Sequence, residues 1–587
     1  MTYTPAALQF TGVELLGKVA SVDTSRVTVD VSNSVLLTRI GIGNLIAIRG
    51  STEREYLIAI TERVTRSYRE ELPEELPEGD EDGVLASVPT DLVRGALIGT
   101  FRTVDGEKKN TFKRGADSFP QIDRECYVVD AGNLQRFMGI LGADYPENER
   151  LKLGTFVADR TAEAIVSGDK FFQRHAAILG STGSGKSYAV ALILERAAKL
   201  KYPNILVFDM HGEYAPLADA GKNGFATRVR IAGPGDLENP GDDALFLPYW
   251  LLNRDEMLSM ILDRSDQNAP NQASRFTSHV KALKQKTLEA EKQVDVAKTF
   301  TVDSPIPYLI KDLLSLLVTD NTTKGVGKAG APVKGEWEDK LTRFISRLEA
   351  KLDDRRYGFM FTPPAKASTY GWLADQITRL LGSNGGKGIK IIDFSEVPSD
   401  VLPVVTGTLA RLLYDVQFWM DPQKRTPVTL LCDEAHLYLP VRDDADAVQR
   451  QALGAFERIS KEGRKYGFSL LVVSQRPSDV SKTILSQCNN FLSLRLTNDT
   501  DQAVIKRLMP DSLAGLTSIL PLLDTGEALM LGDAVLLPSR IKLDKPTIAP
   551  DSATRDFWKD WGTQAPDVDA ITKAVESLRS QTRHKVS

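Results

Sequence analysis

Eight consecutive residues have the types and the spacing of a phosphate-binding loop: Gly180, Ser181, Thr182, Gly183, Ser184, Gly185, Lys186 and Ser187. Glycines allow successive backbone N–H groups to point at one anion, and a helix that begins at the loop adds the positive end of its dipole. In such a loop the lysine contacts the β- and γ-phosphates, and the hydroxyl that follows it is a ligand of Mg²⁺. The sequence therefore predicts a nucleotide site in which Lys186 binds phosphate and Ser187 binds the metal ion.

The residues on either side of this loop have the character that a phosphate-binding loop requires. The preceding run Ala176-Ala177-Ile178-Leu179 is short and apolar, as a buried strand is, and residues 188–194 have the composition of a helix. A strand, a glycine loop and a helix in this order distinguish a phosphate site from a chance cluster of glycine and serine.

Two adjacent carboxylates, Asp433 and Glu434, follow the apolar run 428–432. Downstream of a phosphate-binding loop, two acids at the end of a strand provide what ATP hydrolysis needs. We predict that Asp433 holds the Mg²⁺ ion, usually through water, and that Glu434 orients and polarises the attacking water. An apolar run that ends in Asp-Glu is common by itself, so this prediction depends on the loop.

Polar residues also follow two other predicted strands, residues 204–209 and 468–474. The carboxyl ends of parallel strands form the ligand-binding edge of an open α/β sheet. We expect Gln475 to sense the γ-phosphate and Glu213 to lie at the nucleotide. His211 has no partner at metal-ligand spacing, so a hydrogen-bonded turn residue is the expected role.

The order of the predicted elements indicates an α/β protein: a RecA-like P-loop ATPase core with an N-terminal β-barrel and a helical insertion. The predicted domains are a barrel over 1–150, a core over 151–233 and 388–548, a helical insertion over 234–387 and a tail over 549–587. Short alternating runs such as 26–31, 44–49 and 56–60 predict the barrel strands.

Several charged segments have a solvated loop as their simplest interpretation. The acidic, proline-containing residues 70–82 are predicted to be such a loop, with partner binding as the alternative. The glycine- and lysine-rich residues 322–330 and 385–387 are either linkers or the lining of a DNA channel. In the tail, Val568, Ile571, Val575 and Leu578 share one helical face, which is expected to pack on its own domain or on a neighbour.

Composition excludes several protein classes. The 587 residues carry a net charge of −5, which argues against a uniformly basic surface but not against a basic channel. Three separated cysteines and five scattered histidines give neither a disulfide framework nor a zinc pattern. No apolar run is long enough to span a membrane, and the first residues lack a signal peptide, so we expect a soluble cytoplasmic protein without membrane association.

Taken together, the motifs resemble those of the HerA-type ATPases of the HerA/FtsK superfamily, and the resemblance covers nearly the whole chain. Beside the phosphate loop and the strand patterns, the matching residues are Arg174-His175, Asp209-x-His211-Gly212-Glu213-Tyr214, Asp433-Glu434-Ala435-His436, Ser474-Gln475-Arg476-Pro477 and Gly526-Glu527-Ala528. The acidic segment 70–82 is not a feature of that family.

This resemblance implies a homohexameric ring that hydrolyses ATP between subunits and moves double-stranded DNA through its centre. It also implies a partner, either a nuclease or, in defence against phage, an effector with a nuclease or a sirtuin-like NAD-consuming domain, which we expect at the N-terminal barrel. The cofactors would be ATP and Mg²⁺. Arg174 becomes a candidate contact of the nucleotide and Arg464 a candidate arginine finger in trans, for which Arg458 and Arg476 compete.

Two other functions are compatible with the same residues. One is a ring-shaped scaffold whose nucleotide state assembles and activates a toxic effector with little translocation. The other is a secretion or conjugation ATPase that acts beside a membrane, which the absence of a spanning segment makes the weaker alternative.

Overall fold

A computed structural model describes residues 8–52, 54–71, 86–103, 110–115, 118–143, 145–326, 332–382, 387–509, 511–552 and 555–581 of the chain. The chain divides into two compact units. The first unit contains Met1–Arg196, Gln475–Ser478 and Cys488–Pro546, and the second contains Ala197–Ser474, Asp479–Gln487 and Thr547–Ser587.

The strands are β1 Leu15–Asp23, β2 Arg26–Val31, β3 Leu45–Arg49, β4 Glu55–Glu71, β5 Ala86–Thr103, β6 Asn110–Arg114, β7 Glu125–Val129, β8 Arg150–Phe156, β9 Glu163–Ser167, β10 Ala176–Leu179, β11 Ile205–Asp209, β12 Ala226–Ile231, β13 Ala244–Leu245, β14 Gly325–Val326, β15 Pro332–Val333, β16 Ile389–Asp393, β17 Val428–Cys432, β18 Phe468–Ser474, β19 Asn490–Ser493, β20 Glu527–Gly532 and β21 Ser539–Leu543.

The α-helices are concentrated in the middle of the chain. They are α1 Ala131–Ala143, α2 Gly168–Gln173, α3 Lys186–Ala198, α4 Arg254–Ile261, α5 Ala269–Ala290, α6 Val294–Thr299, α7 Ile310–Thr322, α8 Thr342–Asp353, α9 Gly358–Phe361, α10 Trp372–Leu381, α11 Leu402–Trp419, α12 Ala447–Glu462, α13 Lys482–Gln487, α14 Asp499–Leu508, α15 Phe557–Thr563 and α16 Val568–Ser580.

The first unit begins with a closed β-barrel. Its strands follow the order β2-β1-β7-β3-β4-β5, and β2 also pairs with β5, which closes a ring of six strands; β6 pairs with the outer part of β5. Alternate residues of the strands point inward, so that Val27 and Val29 of β2, for example, are fully buried in the barrel core. The predicted N-terminal barrel is therefore confirmed. Most of the acidic segment 70–82 lies outside the described residues.

The first unit also contains a sheet with the order β10-β19-β20-β21-β8-β9. The strands β10 and β19 are parallel, whereas the pairs from β19 to β9 are antiparallel. The strand β20 has a partner on both sides. The strand β19 ends at Ser493, although Leu494 N–H still donates to the Leu179 carbonyl over 2.7 Å.

The second unit contains a parallel sheet with the order β13-β12-β16-β11-β17-β18. Every residue of β11, β16, β17 and β18 is buried, as expected of parallel strands that are covered on both faces. Helices α4 to α10 lie between β13 and β16 in the chain, so the α/β fold with a RecA-like core and a helical insertion is confirmed. The exact domain boundaries stay predictions.

The tail helices expose apolar side chains. Trp558 and Trp561 of α15 are exposed, and so are the four aliphatic residues that share one face of α16. The apolar face of α16 therefore does not pack on the described residues of its own chain. In the described part of the chain, no helix is both long and apolar enough to cross a membrane.

Candidate ATP site

The glycine loop of the first unit connects β10 to α3, as the sequence predicts. Gly183 and Gly185 have positive φ angles of 72° and 104°, which side chains other than glycine rarely adopt. The carbonyl of Ser184 accepts a hydrogen bond from the N–H of Gly526 over 3.0 Å. The turn before β20 therefore holds the C-terminal part of the loop in place.

The residues that follow β19 hold the N-terminal part of the loop in place. The N–H of Ser181 donates to the carbonyl of Arg495 over 2.8 Å, and Thr497 N–H donates to Ser181 Oγ over 3.3 Å. A Cβ on Gly180 would lie 2.8 Å from the Cβ of Leu494, so only glycine fits there. The loop is thus held in place by contacts with the residues that follow β19 and with those that precede β20.

Gln475 lies against the loop. The hydroxyl of Thr182 donates a hydrogen bond to Gln475 Oε1 over 2.6 Å, and both residues belong to the first unit. The loop motif does not reveal this contact, because Gln475 is distant in the sequence. A side chain held this close to the loop can respond to a phosphate bound there, so the predicted sensor role is geometrically reasonable, although it stays a prediction.

Arg174 lies beside another acid. Its guanidinium forms an ion pair with Asp533. Burial acts to raise the pKa of Asp533, but the hydrogen bond from Arg174 holds it below its ordinary value. A nucleotide contact by Arg174, which stays a prediction, would have to compete with this ion pair.

In the second unit, a buried aspartate shapes the turn that carries Glu213. Asp209 is the last residue of β11, and its carboxylate accepts hydrogen bonds from the N–H groups of Gly212, Glu213 and Tyr214 at 2.9 to 3.1 Å. Burial raises the pKa of Asp209 to about 6. The sequence indicated Glu213 but not this support, since a strand ending in Asp is common. His211 is exposed and makes no hydrogen bond with a described residue, so its predicted turn bond is absent.

Asp433 and Glu434 follow β17 in the same unit. Asp433 is buried, and its pKa lies well above the ordinary value, first because of burial and then because of the charges of Glu434, Asp209 and Glu213. Carboxylates this close repel one another when ionised, so a cation is favourable among them.

The predicted metal ion, Mg²⁺, is compatible with this group of acids. Among the described residues, no three His, Cys, Asp or Glu side chains are arranged to hold a metal ion directly. Mg²⁺ keeps several of its waters and is commonly bound by one or two carboxylates together with phosphate oxygens. Asp433 therefore suits the predicted role, in which it holds the ion through water.

The three arginines that compete for the role of a finger differ in their surroundings. Arg458 pairs with Asp415 over 3.3 Å, and its guanidinium carbon lies 4.9 Å from the ring centre of Tyr414. Arg476 also contacts its own chain. Arg464 is exposed, and its side chain makes no hydrogen bond or ion pair with a described residue. Of the three, Arg464 needs no existing contact to be broken before it reaches another molecule.

The chain is similar in sequence to known and probable helicases. A family model described as the central domain of helicase HerA matches residues 151–413. A probable helicase of Methanocaldococcus jannaschii is 28% identical over 457 residues, which are 76% of this chain and 76% of the relative. The DNA double-strand break repair helicase HerA of Sulfolobus acidocaldarius is 27% identical over 376 residues, 63% of this chain and 65% of the relative.

A solved structure, VirB4 of Thermoanaerobacter pseudethanolicus, is 17% identical and covers 68% of this chain and 97% of its own, with a TM-score of 0.45, too low to support an assignment by itself. The residues that the family model matches include the phosphate-binding loop. The family model and the curated relatives therefore support a HerA-type P-loop ATPase.

Proposed function

We propose that this chain is the subunit of a homohexameric motor that uses ATP to move along double-stranded DNA. The observation that carries the proposal is the phosphate-binding loop between β10 and α3, in a chain whose buried Asp433 and the adjacent Glu434 directly follow β17. Phosphate and magnesium ligands together are what ATP hydrolysis needs. The name of the relative from Sulfolobus acidocaldarius supports DNA as the substrate.

Each residue has a defined part in the proposed reaction. The N–H groups of the glycine loop and the Lys186 ammonium bind the phosphates, while Ser187 and Asp433 hold the metal ion, which would neutralise charge on the phosphate oxygens. Glu434 orients the attacking water, Gln475 responds to the γ-phosphate, and Glu213 lies at the nucleotide. Removing the water-orienting carboxylate should slow hydrolysis on the order of 10²–10⁴-fold.

The ATPase rate with and without duplex DNA tests the proposal. We expect duplex DNA to stimulate the assembled wild-type protein, Lys186→Ala to reduce the rate to background, and Glu434→Gln to leave a slow, measurable rate, lower on the order of 10²–10⁴-fold. Lys199→Ala and Glu291→Gln, which alter exposed residues of the same types, should leave it unchanged. One and the same rate with and without DNA would remove the main support for a motor.

A ring in which each site needs its neighbour makes a second prediction, because Arg464 would then act on the ATP of the next subunit. Arg464→Ala and Glu434→Gln should each be strongly impaired alone, whereas subunits of the two variants mixed before assembly should recover part of the rate. Recovery arises because some interfaces combine an intact arginine with an intact glutamate. Arg458→Ala provides the comparison; if it behaves in this way and Arg464→Ala stays active, the finger is Arg458.

The partner belongs to the same proposal. We infer that the hexamer works with a nuclease or with a sirtuin-like NAD-consuming effector, in DNA-end processing or in defence against phage, and that this partner binds the N-terminal barrel. The barrel is the candidate surface because its strands carry none of the residues assigned to ATP.

A further inference from the structure

Glu434 has an unusual backbone conformation. Its φ and ψ angles are 43° and 46°, in the left-handed region that residues with a side chain rarely occupy. Such a conformation costs on the order of 1–3 kcal/mol and persists only where the surroundings enforce it. The turn that follows is fixed on both sides, since the Tyr438 hydroxyl donates to the Asp433 carbonyl over 3.1 Å and Leu439 N–H donates to Ala435 over 2.7 Å.

This backbone conformation places the carboxylate beside an imidazole. Glu434 Oε2 lies 3.3 Å from Nδ1 of His436, and the two side chains are only 12% and 13% exposed. The same nitrogen lies 3.4 Å from the hydroxyl of Ser474, the last residue of β18 and fully buried. The contact between Nδ1 and Oε2 is an electrostatic one at ion-pair distance rather than a well-aligned hydrogen bond, and a proton on Nδ1 would strengthen it because an ionised carboxylate only accepts.

We propose that His436 is a positioning residue, which holds the Glu434 carboxylate in the orientation that hydrolysis requires. The inference rests on the proposed role of Glu434 in orienting water. A glutamate has three rotatable side-chain bonds, and the left-handed backbone fixes only where the side chain begins. The imidazole of His436 lies at ion-pair distance from the end of that side chain, and Ser474, the last residue of β18, lies 3.4 Å from the same imidazole nitrogen.

The size of the effect follows from the geometry that catalysis needs. A group that orients water must be held to within about 0.5 Å of its productive position. Without the imidazole, the carboxylate would distribute over several rotamers. We expect His436→Ala to lower kcat on the order of 10–100-fold, the effect of a misplacement of about 1 Å, while the KM for ATP and the affinity for a non-hydrolysable ATP analogue stay unchanged.

Two substitutions separate positioning from a structural role. The amide of asparagine can place an N–H group where Nδ1 lies, whereas that of glutamine reaches towards the position of Nε2. His436→Asn should therefore recover most of kcat, and His436→Gln should not. Leu437→Ala alters the same turn at an exposed side chain and keeps the imidazole, so it should leave kcat near the wild-type value.

The decisive measurement is kcat for the double variant His436→Ala/Glu434→Gln in the assembled protein. If His436 acts through Glu434, the double variant should be no slower than Glu434→Gln alone. An additional loss in the double variant, or a His436→Ala protein that loses ATP affinity and is not recovered by asparagine, would overturn the inference. If Glu434→Gln itself leaves kcat unchanged, it is the proposed role of Glu434 that fails; a normal loss there with unaffected His436→Ala contradicts only the present inference.

Discussion

Two buried lysines in different regions of the chain differ in whether their side-chain nitrogens have hydrogen-bond partners. Lys186, at the start of α3, is 8% exposed, and its ammonium makes no hydrogen bond or ion pair with a described residue. Lys284, on α5, is 1% exposed and donates to the carbonyls of Val302 and Ser304, each over 2.6 Å.

The difference separates a binding residue from a structural one. A buried charge is costly unless it is paired and hydrogen-bonded. Lys284 obtains its partners from its own chain and thereby fixes the loop after α6. Lys186 obtains none from the described residues, so an anionic ligand would supply what the fold omits. Burial alone would rank the two lysines as equivalent, whereas the partners of each nitrogen distinguish them.

Replacing each lysine with methionine, which has a similar shape and no charge, should produce the largest difference between the two positions. At about pH 8.5, Lys284→Met should lower the free energy of unfolding of the unliganded protein by about 1–3 kcal/mol, because two buried carbonyls lose their donor. Lys186→Met should leave this stability near the wild-type value but abolish the rise in melting temperature that Mg²⁺ and a non-hydrolysable ATP analogue produce.

Thermal and urea unfolding with and without the analogue provide the measurement. Lys199→Met, at an exposed position, is the control and should change neither quantity. A Lys186→Met protein that is still stabilised by the analogue would contradict the assignment of Lys186 as the phosphate ligand.

The pH dependence of the free energy of unfolding provides a second, smaller effect, which arises at Lys284. Burial lowers the pKa of Lys284 to about 7, against a smaller opposing effect of Asp303 and with a further lowering by Arg411. Between about pH 7 and pH 10.4 the unfolded chain binds a proton at this lysine that the folded chain does not, so the free energy of unfolding should rise with pH by up to about 1.4 kcal/mol per unit.

The stability difference between the wild type and Lys284→Met isolates this contribution, because the other titrating groups are common to both proteins. We expect the difference to grow in favour of the wild type from pH 7 to pH 9 and to stay constant below pH 6. A difference that does not change across this range would mean that Lys284 keeps its charge in the folded protein.

Some features of the molecule could be predicted from the sequence because their physical cause is local. Consecutive backbone N–H groups bind phosphate, so residues 180–187 carry their own signature, and the strand before them and the helix after them lie where the pattern places them. Alternating apolar residues predict the barrel strands for the same reason, since neighbouring residues decide which face is buried.

Other features depend on residues that are far apart in the sequence. The motif Asp433-Glu434-Ala435-His436 could be seen, but not that its histidine contacts its glutamate and the end of β18. Arg458 and Arg464 belong to one basic segment. Only the structure shows that Arg458 forms an ion pair with Asp415 and lies over the ring of Tyr414. The apolar stripe of α16 was equally clear, yet its exposure was not.

The sequence by itself determined the phosphate loop, the acidic strand ends and the alternation of strands and helices, because hydrogen-bond geometry and periodicity act between near neighbours. Only the tertiary structure decided which charged groups have partners: Lys284 has two carbonyls, Arg174 has Asp533, and Lys186 has none among the described residues. The partner of a charge is set by the packing of distant segments, and its energy depends on burial that no local pattern specifies.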